Sequence, residues 1–234
     1  MAMKPAEAPV IMAVPWTFRD AAKAILLVVG GTAVLALALL GLPGLSKSLE
    51  GGAALLLSAS LEAMLLVAIW RFGPWRYGGS WSSLGLRPTL NRGAPMALMV
   101  LFASVSFAAL YTISVAILGL DTLRPPQLPS QLVDTYPLRL ATFSLAVLVA
   151  PAAEEVFFRG FLLPAFVARW GFAPGAVLVS LLFAMSHGVP ALLAPAFISG
   201  LLLAWLYRRT GSLWNCVLAH TAQNAMAFAV AVSV

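Results

Sequence analysis

Two histidines are all this chain contains, and each stands four residues from a side chain that can work with it. His187 closes Phe183-Ala184-Met185-Ser186-His187, and His220 opens His220-Thr221-Ala222-Gln223-Asn224. A third polar cluster, Glu154-Glu155-Val156-Phe157-Phe158-Arg159, interrupts another apolar stretch. A carboxylate that takes a proton from water, with imidazole and amide groups that hold a developing oxyanion, is the equipment of peptide hydrolysis. On a helix Glu155 and Arg159 are i and i+4, so they can neutralise each other, while Glu154 points about 100° away. Glu154 is then left to face a cavity, as a general base for water. His220 and Asn224 are also i and i+4 and project from one helix face. Each motif has a structural reading of its own: an ion pair that organises helices, a hydrogen-bonded buried histidine, a pair of interhelical hydrogen bonds. Phe183 alone reads as packing, or as a wall of the cavity one turn before His187. A catalytic site accounts for all three motifs at once, with the chain's only histidines in two of them.

The elements that carry these groups are apolar. The chain is 62% hydrophobic and 9% charged, against about 25% charged in a soluble domain. We therefore expect an all-α, polytopic membrane bundle of about seven transmembrane helices enclosing a polar intramembrane cavity. The spans fall near 24–44, 53–71, 94–119, 138–168, 174–188, 190–207 and 213–233. The fifth is short, which predicts a re-entrant or sheltered segment. The fourth is too long for one crossing, and Pro151 inside it predicts a kink, or two helical pieces meeting near Glu154. Breakers separate the spans: Pro43-Gly44, Gly73-Pro74, Gly78-Gly79, Pro125-Pro126 and Pro129, with Pro174 and Pro190 at helix starts. No repeat or soluble domain is evident, so 1–234 reads as one membrane domain with its catalytic core at about 138–233. The segment 1–23 reads as a cytoplasmic N-terminal piece without a cleavage site, and the first span is expected to stay.

The net charge of +6 is no nucleic-acid signature, because the basic residues are scattered at helix ends. With the N-terminus inside, Lys4, Arg19, Lys23, Arg71, Arg76, Arg87, Arg92, Arg169, Arg208 and Arg209 lie on the cytoplasmic side. Only Lys47, Arg124 and Arg139 lie outside, which favours that orientation. The single Cys216 excludes an intramolecular disulfide and a multi-cysteine metal site. It stands one turn before His220, but a small buried hydrophobe is a better reading of it than a nucleophile. Glu62, in the middle of the second span, reads as structural, as a cavity residue or as a partner for Arg159. Trp70, Trp75, Trp81, Trp205, Tyr207 and Trp214 fit an interfacial belt.

Glu-Glu-x-x-Phe-Arg-Gly at 154–160, Phe-x-x-x-His-Gly at 183–188 and His-x-x-x-Asn at 220–224, in this order, resemble the three motifs of the CPBP family. That family, also called Abi, contains CAAX prenyl endopeptidases and bacteriocin-processing enzymes. Ser83-Leu84-Gly85-Leu86-Arg87 is similar to a feature of its bacterial members. The resemblance is strong over about 140–230 and looser over 80–140. It implies an intramembrane endopeptidase acting on a membrane-associated protein or peptide, in a bacterial cytoplasmic membrane. It also implies roles: Glu154 with His187 activates water, His220 and Asn224 stabilise the oxyanion, and Glu155 and Arg159 support the site, with Phe183 beside them. Members have been described both as metal-free glutamate enzymes and as metalloproteases. The metal-free mechanism, with no cofactor, is favoured here; the alternative is a zinc ion held by Glu154, His187 and His220. Two other classes compete. A non-proteolytic immunity or binding protein would show a broken motif, and a proton-coupled transporter would show paired halves; neither mark is present.

Overall fold

The computed structural model describes residues 14–41, 52–87 and 93–233. Lys4, Lys47, Arg92 and the Pro43-Gly44 turn lie outside them. The described chain is all-helical. Its long helices, in chain order, are α1 (Phe18–Gly41), α2 (Gly52–Phe72), α3 (Gly93–Ile117), α4 (Tyr136–Trp170), α5 (Phe172–Ser186), α6 (Pro190–Thr210) and α7 (Leu213–Ala231). All seven expected helices are thus present. Five of them, the first four and α6, are long and apolar enough to cross a membrane. The 15 residues of α5 rise roughly 22 Å, short of a hydrocarbon core about 30 Å thick.

Polarity is arranged inside out. Leu26, Phe102 and Ile117 are more than two-thirds exposed, whereas Glu62, Glu155, Arg159 and His220 are buried. An apolar outer surface around a charged interior suits lipid as solvent, because charged groups are then kept away from the hydrocarbon. α4 runs through the centre, its 156–162 stretch buried throughout and contacted by α1, α2, α5, α6 and α7.

The irregularity expected within α4 near Pro151 and Glu154 is present as changes of helical winding. The helix is continuous, and it contains two π-helical stretches, Ser144–Val149 and Val156–Leu162. Each ends two residues before a proline, Pro151 and Pro164. The Ala150 N–H reaches back to the Leu145 carbonyl, and the Leu163 N–H to that of Phe158, both five residues away. A proline removes one i to i−4 bond and its ring crowds the carbonyl one turn back. Widening the preceding turn relieves the clash and finds donors for the freed carbonyls, so the helical pieces expected to meet near Glu154 are joined through π-helical turns.

One end of the bundle is stapled by polar contacts. Asp20 accepts hydrogen bonds from Thr17 and from the Tyr77 hydroxyl, tying the start of α1 to the loop after α2. The Ser83–Arg87 segment, singled out in the sequence, docks on the α6–α7 turn: Leu213 N–H donates to the Gly85 carbonyl, Ser212 Oγ to that of Arg87, and Tyr207 Oη to that of Leu84. Gly85 has a positive φ of 86°, and a Cβ there would run into the Tyr207 hydroxyl. Gly160 on α4 lies under the same segment, where a Cβ would stand 2.8 Å from the Leu84 carbonyl oxygen. This loop therefore fixes the axial position of α4.

Candidate active site

α4 supplies two adjacent carboxyl groups that meet different surroundings. Glu155 is fully buried, and its Oε1 accepts from Arg159 Nη1 at 2.7 Å, the i,i+4 pair expected from the sequence. The same oxygen lies 2.9 Å from His220 Nδ1. Arg159 is held further by the Gly200 carbonyl at 3.4 Å and by the face of Phe183, 4.3 Å from the ring centroid. A guanidinium over an aromatic face gains from the ring quadrupole, and more so without water. Glu155 and Arg159 thus form one ion-paired unit that anchors α7 and α6 to α4, with Glu155 Oε2 and Arg159 Nε left without a partner among the described residues.

Glu154 lies outside that unit. Its side chain retains 16% exposure, and its Oε2 stands 3.7 Å from His220 Nε2. His220 therefore bridges the two glutamates, one ring nitrogen toward each. The Nδ1 contact with a carboxylate requires the proton on Nδ1. In the neutral ring Nε2 is then an acceptor; as the imidazolium it is a donor toward Glu154 and whatever lies beside it.

His187, half-buried at the end of α5, has Nδ1 2.9 Å from the Phe183 carbonyl oxygen. That carbonyl can only accept, so Nδ1 carries the hydrogen and Nε2 is left as an acceptor. Phe183 is more than a wall: its ring meets His187 and His220 edge-on at 5.0 and 5.6 Å, and Phe158 at 5.2 Å. It sets both imidazoles on one side of the cluster. Among the described residues no ion pair or hydrogen bond joins His187 to Glu154 directly. Asn224 gives one amide N–H to the Ala146 carbonyl at 2.9 Å, within the first π-helical stretch of α4. Its second N–H and its oxygen stay available.

Several partners were hidden from sequence reasoning. The Gly200 and Ala146 carbonyls are backbone groups, which carry no signature in a sequence. Gln223, whose oxygen accepts from Ser199 Oγ at 3.0 Å, ties α7 to α6 and stands beside Asn224, a visible but unused clue. Glu62 does not pair with Arg159; it is buried on α2 and its Oε2 has no partner among the described residues. Cys216 is fully buried and donates to the Leu203 carbonyl at 3.6 Å, as a small core residue does. The zinc alternative meets a misfit: among the described residues no three His, Cys, Asp or Glu side chains converge as a metal site would need. One nitrogen of each imidazole is committed, Nδ1 of His187 to the Phe183 carbonyl and Nδ1 of His220 to Glu155, and Nε2 of each is left open.

An all-helical chain whose described residues include five helices able to cross a membrane, and a glutamate–histidine–arginine cluster in its interior, is a helical membrane protein with a buried polar cluster. Residues 136–226 match the family model described as type II CAAX prenyl endopeptidase Rce1-like, so this part of the chain is similar to that family. The match runs from the first residue of α4 into α7 and includes every residue of the cluster described above. No curated protein and no solved structure matches the chain.

Proposed function

We propose that the chain is an intramembrane endopeptidase in which Glu154 activates water to hydrolyse a peptide bond of a membrane-associated protein or peptide. The observation that carries this reading is the unequal treatment of the two glutamates. Glu155 is spent on Arg159 and His220, and Glu154 beside it is paired with no cation closer than 3.7 Å. A carboxylate free of its own ion pair, in a place that excludes bulk water, is a base without a structural duty.

Glu154 takes a proton as the water oxygen bonds to the scissile carbonyl carbon. The oxyanion receives the free amide N–H of Asn224 and, in its imidazolium form, the Nε2–H of His220. When the carbon–nitrogen bond breaks, the proton held by Glu154 passes to the leaving amine, and the carboxylate is restored. His187 Nε2, an acceptor, orients the water from the other side. Residues 138–233 act as the catalytic core of a single membrane domain of about seven spans. The site lies near mid-membrane, the N-terminus is cytoplasmic, and the host membrane is a bacterial inner membrane. The substrate class follows the family's name: a protein held in the bilayer near its cleavage site, as a prenyl group would hold it.

The test is cleavage of a fluorogenic prenylated C-terminal peptide by the full chain in proteoliposomes. Glu154→Gln keeps the volume and removes the base, so the rate should fall by about 10²–10⁴-fold with the protein still folded and inserted. Comparing the termini of membrane proteins in cells with wild-type and Glu154→Gln protein extends the search to natural substrates. A folded Glu154→Gln variant that cleaves at the wild-type rate refutes the assignment.

A further inference from the structure

Glu62 is a charged side chain with no evident reason to be where it is. It stands ten residues from either end of α2 (Gly52–Phe72), so it lies at the helix midpoint. Glu154 occupies the corresponding level of α4, eighteen residues from Tyr136 and sixteen from Trp170. Glu62, Leu65 and Ile69 form the inward stripe of α2 at i, i+3 and i+7 spacing, and α2 packs on the Ala150–Glu155 turn of α4. Glu62 is 4% exposed, none of the ion pairs among the described residues involves it, and its Oε2 is without a hydrogen-bond partner. The nearest cation in the interior, Arg159, is taken by Glu155, Gly200 and Phe183. A buried carboxyl that only packed would be an expensive substitute for Gln or Leu. Carboxyl groups at one level of two packed helices are accommodated without a separate cation for each when one proton and a water lie between them.

We propose that Glu62 is a positioning residue for Glu154: the two carboxyl groups share a proton through a water molecule, which holds that water from the α2 side. This rests on the reading of Glu154 as the base. It also adds a residue from α2, outside the matched family segment, to the site. The groups that bear on the pair are Glu154, Glu155 and Arg159 from α4 and His220 from α7.

The test uses the full chain in proteoliposomes, as wild type, Glu62→Gln, Glu62→Asp, Glu154→Gln and the double Glu62→Gln/Glu154→Gln. Infrared spectra read the carbonyl stretch of protonated carboxyl groups without reference to activity. A shared proton makes the two single-variant difference spectra non-additive, because either substitution disturbs the same proton. In parallel, cleavage of the prenylated peptide should show kcat reduced about 10–100-fold by Glu62→Gln, as for other groups that orient a reacting one, with KM little changed. Glu62→Asp should recover part of that loss. Additive spectra overturn the proposal, as does a folded Glu62→Gln variant with wild-type kcat. Should Glu62→Gln fail to fold, Glu62→Asp and Glu154→Gln still decide it, through a shifted or unshifted band. A wild-type protein that cleaves nothing but gives non-additive spectra sinks the peptidase reading alone. A wild type that cleaves, with Glu154→Gln inactive and additive spectra, sinks this one alone.

Discussion

Arg159 shows how a few side chains hold this interior together. It is 1% exposed and bonded to Glu155 at 2.7 Å, to the Gly200 carbonyl and to the Phe183 face. A buried ion pair adds little over well-packed apolar residues, but breaking it from one side leaves a bare charge behind. Arg159→Leu should therefore destabilise the protein by about 3–5 kcal/mol, read as a lowered thermal midpoint in detergent. Glu155→Leu in the same chain should restore much of that stability without restoring activity, because His220 would still lack its Nδ1 partner. A double variant no more stable than Arg159→Leu would show that the pair acts through something other than its charges. The pairing itself was legible in the sequence, since i and i+4 spacing brings the two side chains together on any helix. The position of Glu154 outside that pair was legible for the same reason, from its 100° offset. The bridging position of His220 was not, because it depends on how α7 packs against α4, and no spacing within one helix encodes that. The commitment of one Asn224 N–H to Ala146 is also tertiary, and it narrows the part that residue can play.

At the scale of elements, the short α5 is the piece on which the site's depth depends. It ends at His187, where Gly188 takes a positive φ of 66° and lets the chain turn into α6 at Pro190. Backbone that turns within lipid must be covered by protein, and α5 is packed along α6 and the end of α4. The seam between α5 and α6 is made close by Gly200: a Cβ there would stand 2.9 Å from Ser180 Cβ and 3.2 Å from Ser180 Cα. Backbone cannot give way as a side chain can, so Gly200→Ala should push the two helices apart and cost about 1–3 kcal/mol. It should also lower cleavage more than that loss of stability explains, since the Gly200 carbonyl is a ligand of Arg159 and Phe183 rides on α5. A thermal melt and a rate on the same preparation check both parts; an Ala variant with unchanged rate and midpoint would show that the seam has slack. The short fifth helix was visible as a run of apolar residues too brief to span. The π-helical turns that precede Pro151 and Pro164 were not, because they depend on packing rather than on local preference.

The whole molecule has two unlike ends. One gathers Asp20 with Tyr77, Phe18 with Trp170, Arg208 over Phe172, and Arg209 over Trp205, in the neighbourhood of Arg19, Arg76, Arg87 and Arg169. The other carries Arg124 paired with Asp121 and Arg139 bonded to the Val133 carbonyl. Lys and Arg accumulate on the cytoplasmic side of membrane proteins, so the first end should face the cytoplasm. His187 would then lie at the far end of an α5 that starts at the cytoplasmic side, roughly 22 Å along the helix. That depth is inside the bilayer and consistent with a substrate whose scissile bond enters from the membrane rather than from bulk water. Single cysteines in a Cys216→Ala background can read the orientation. Ser82→Cys and Thr122→Cys both fall on exposed residues at opposite ends of the bundle. A membrane-impermeant maleimide added to intact spheroplasts should label Thr122→Cys and spare Ser82→Cys, and inverted vesicles should show the reverse. Labelling of Ser82→Cys from outside would invert the orientation and place α5 to start at the outer face. Labelling of both from one side would mean that α3 does not cross the membrane, since it is the one long helix between the two positions.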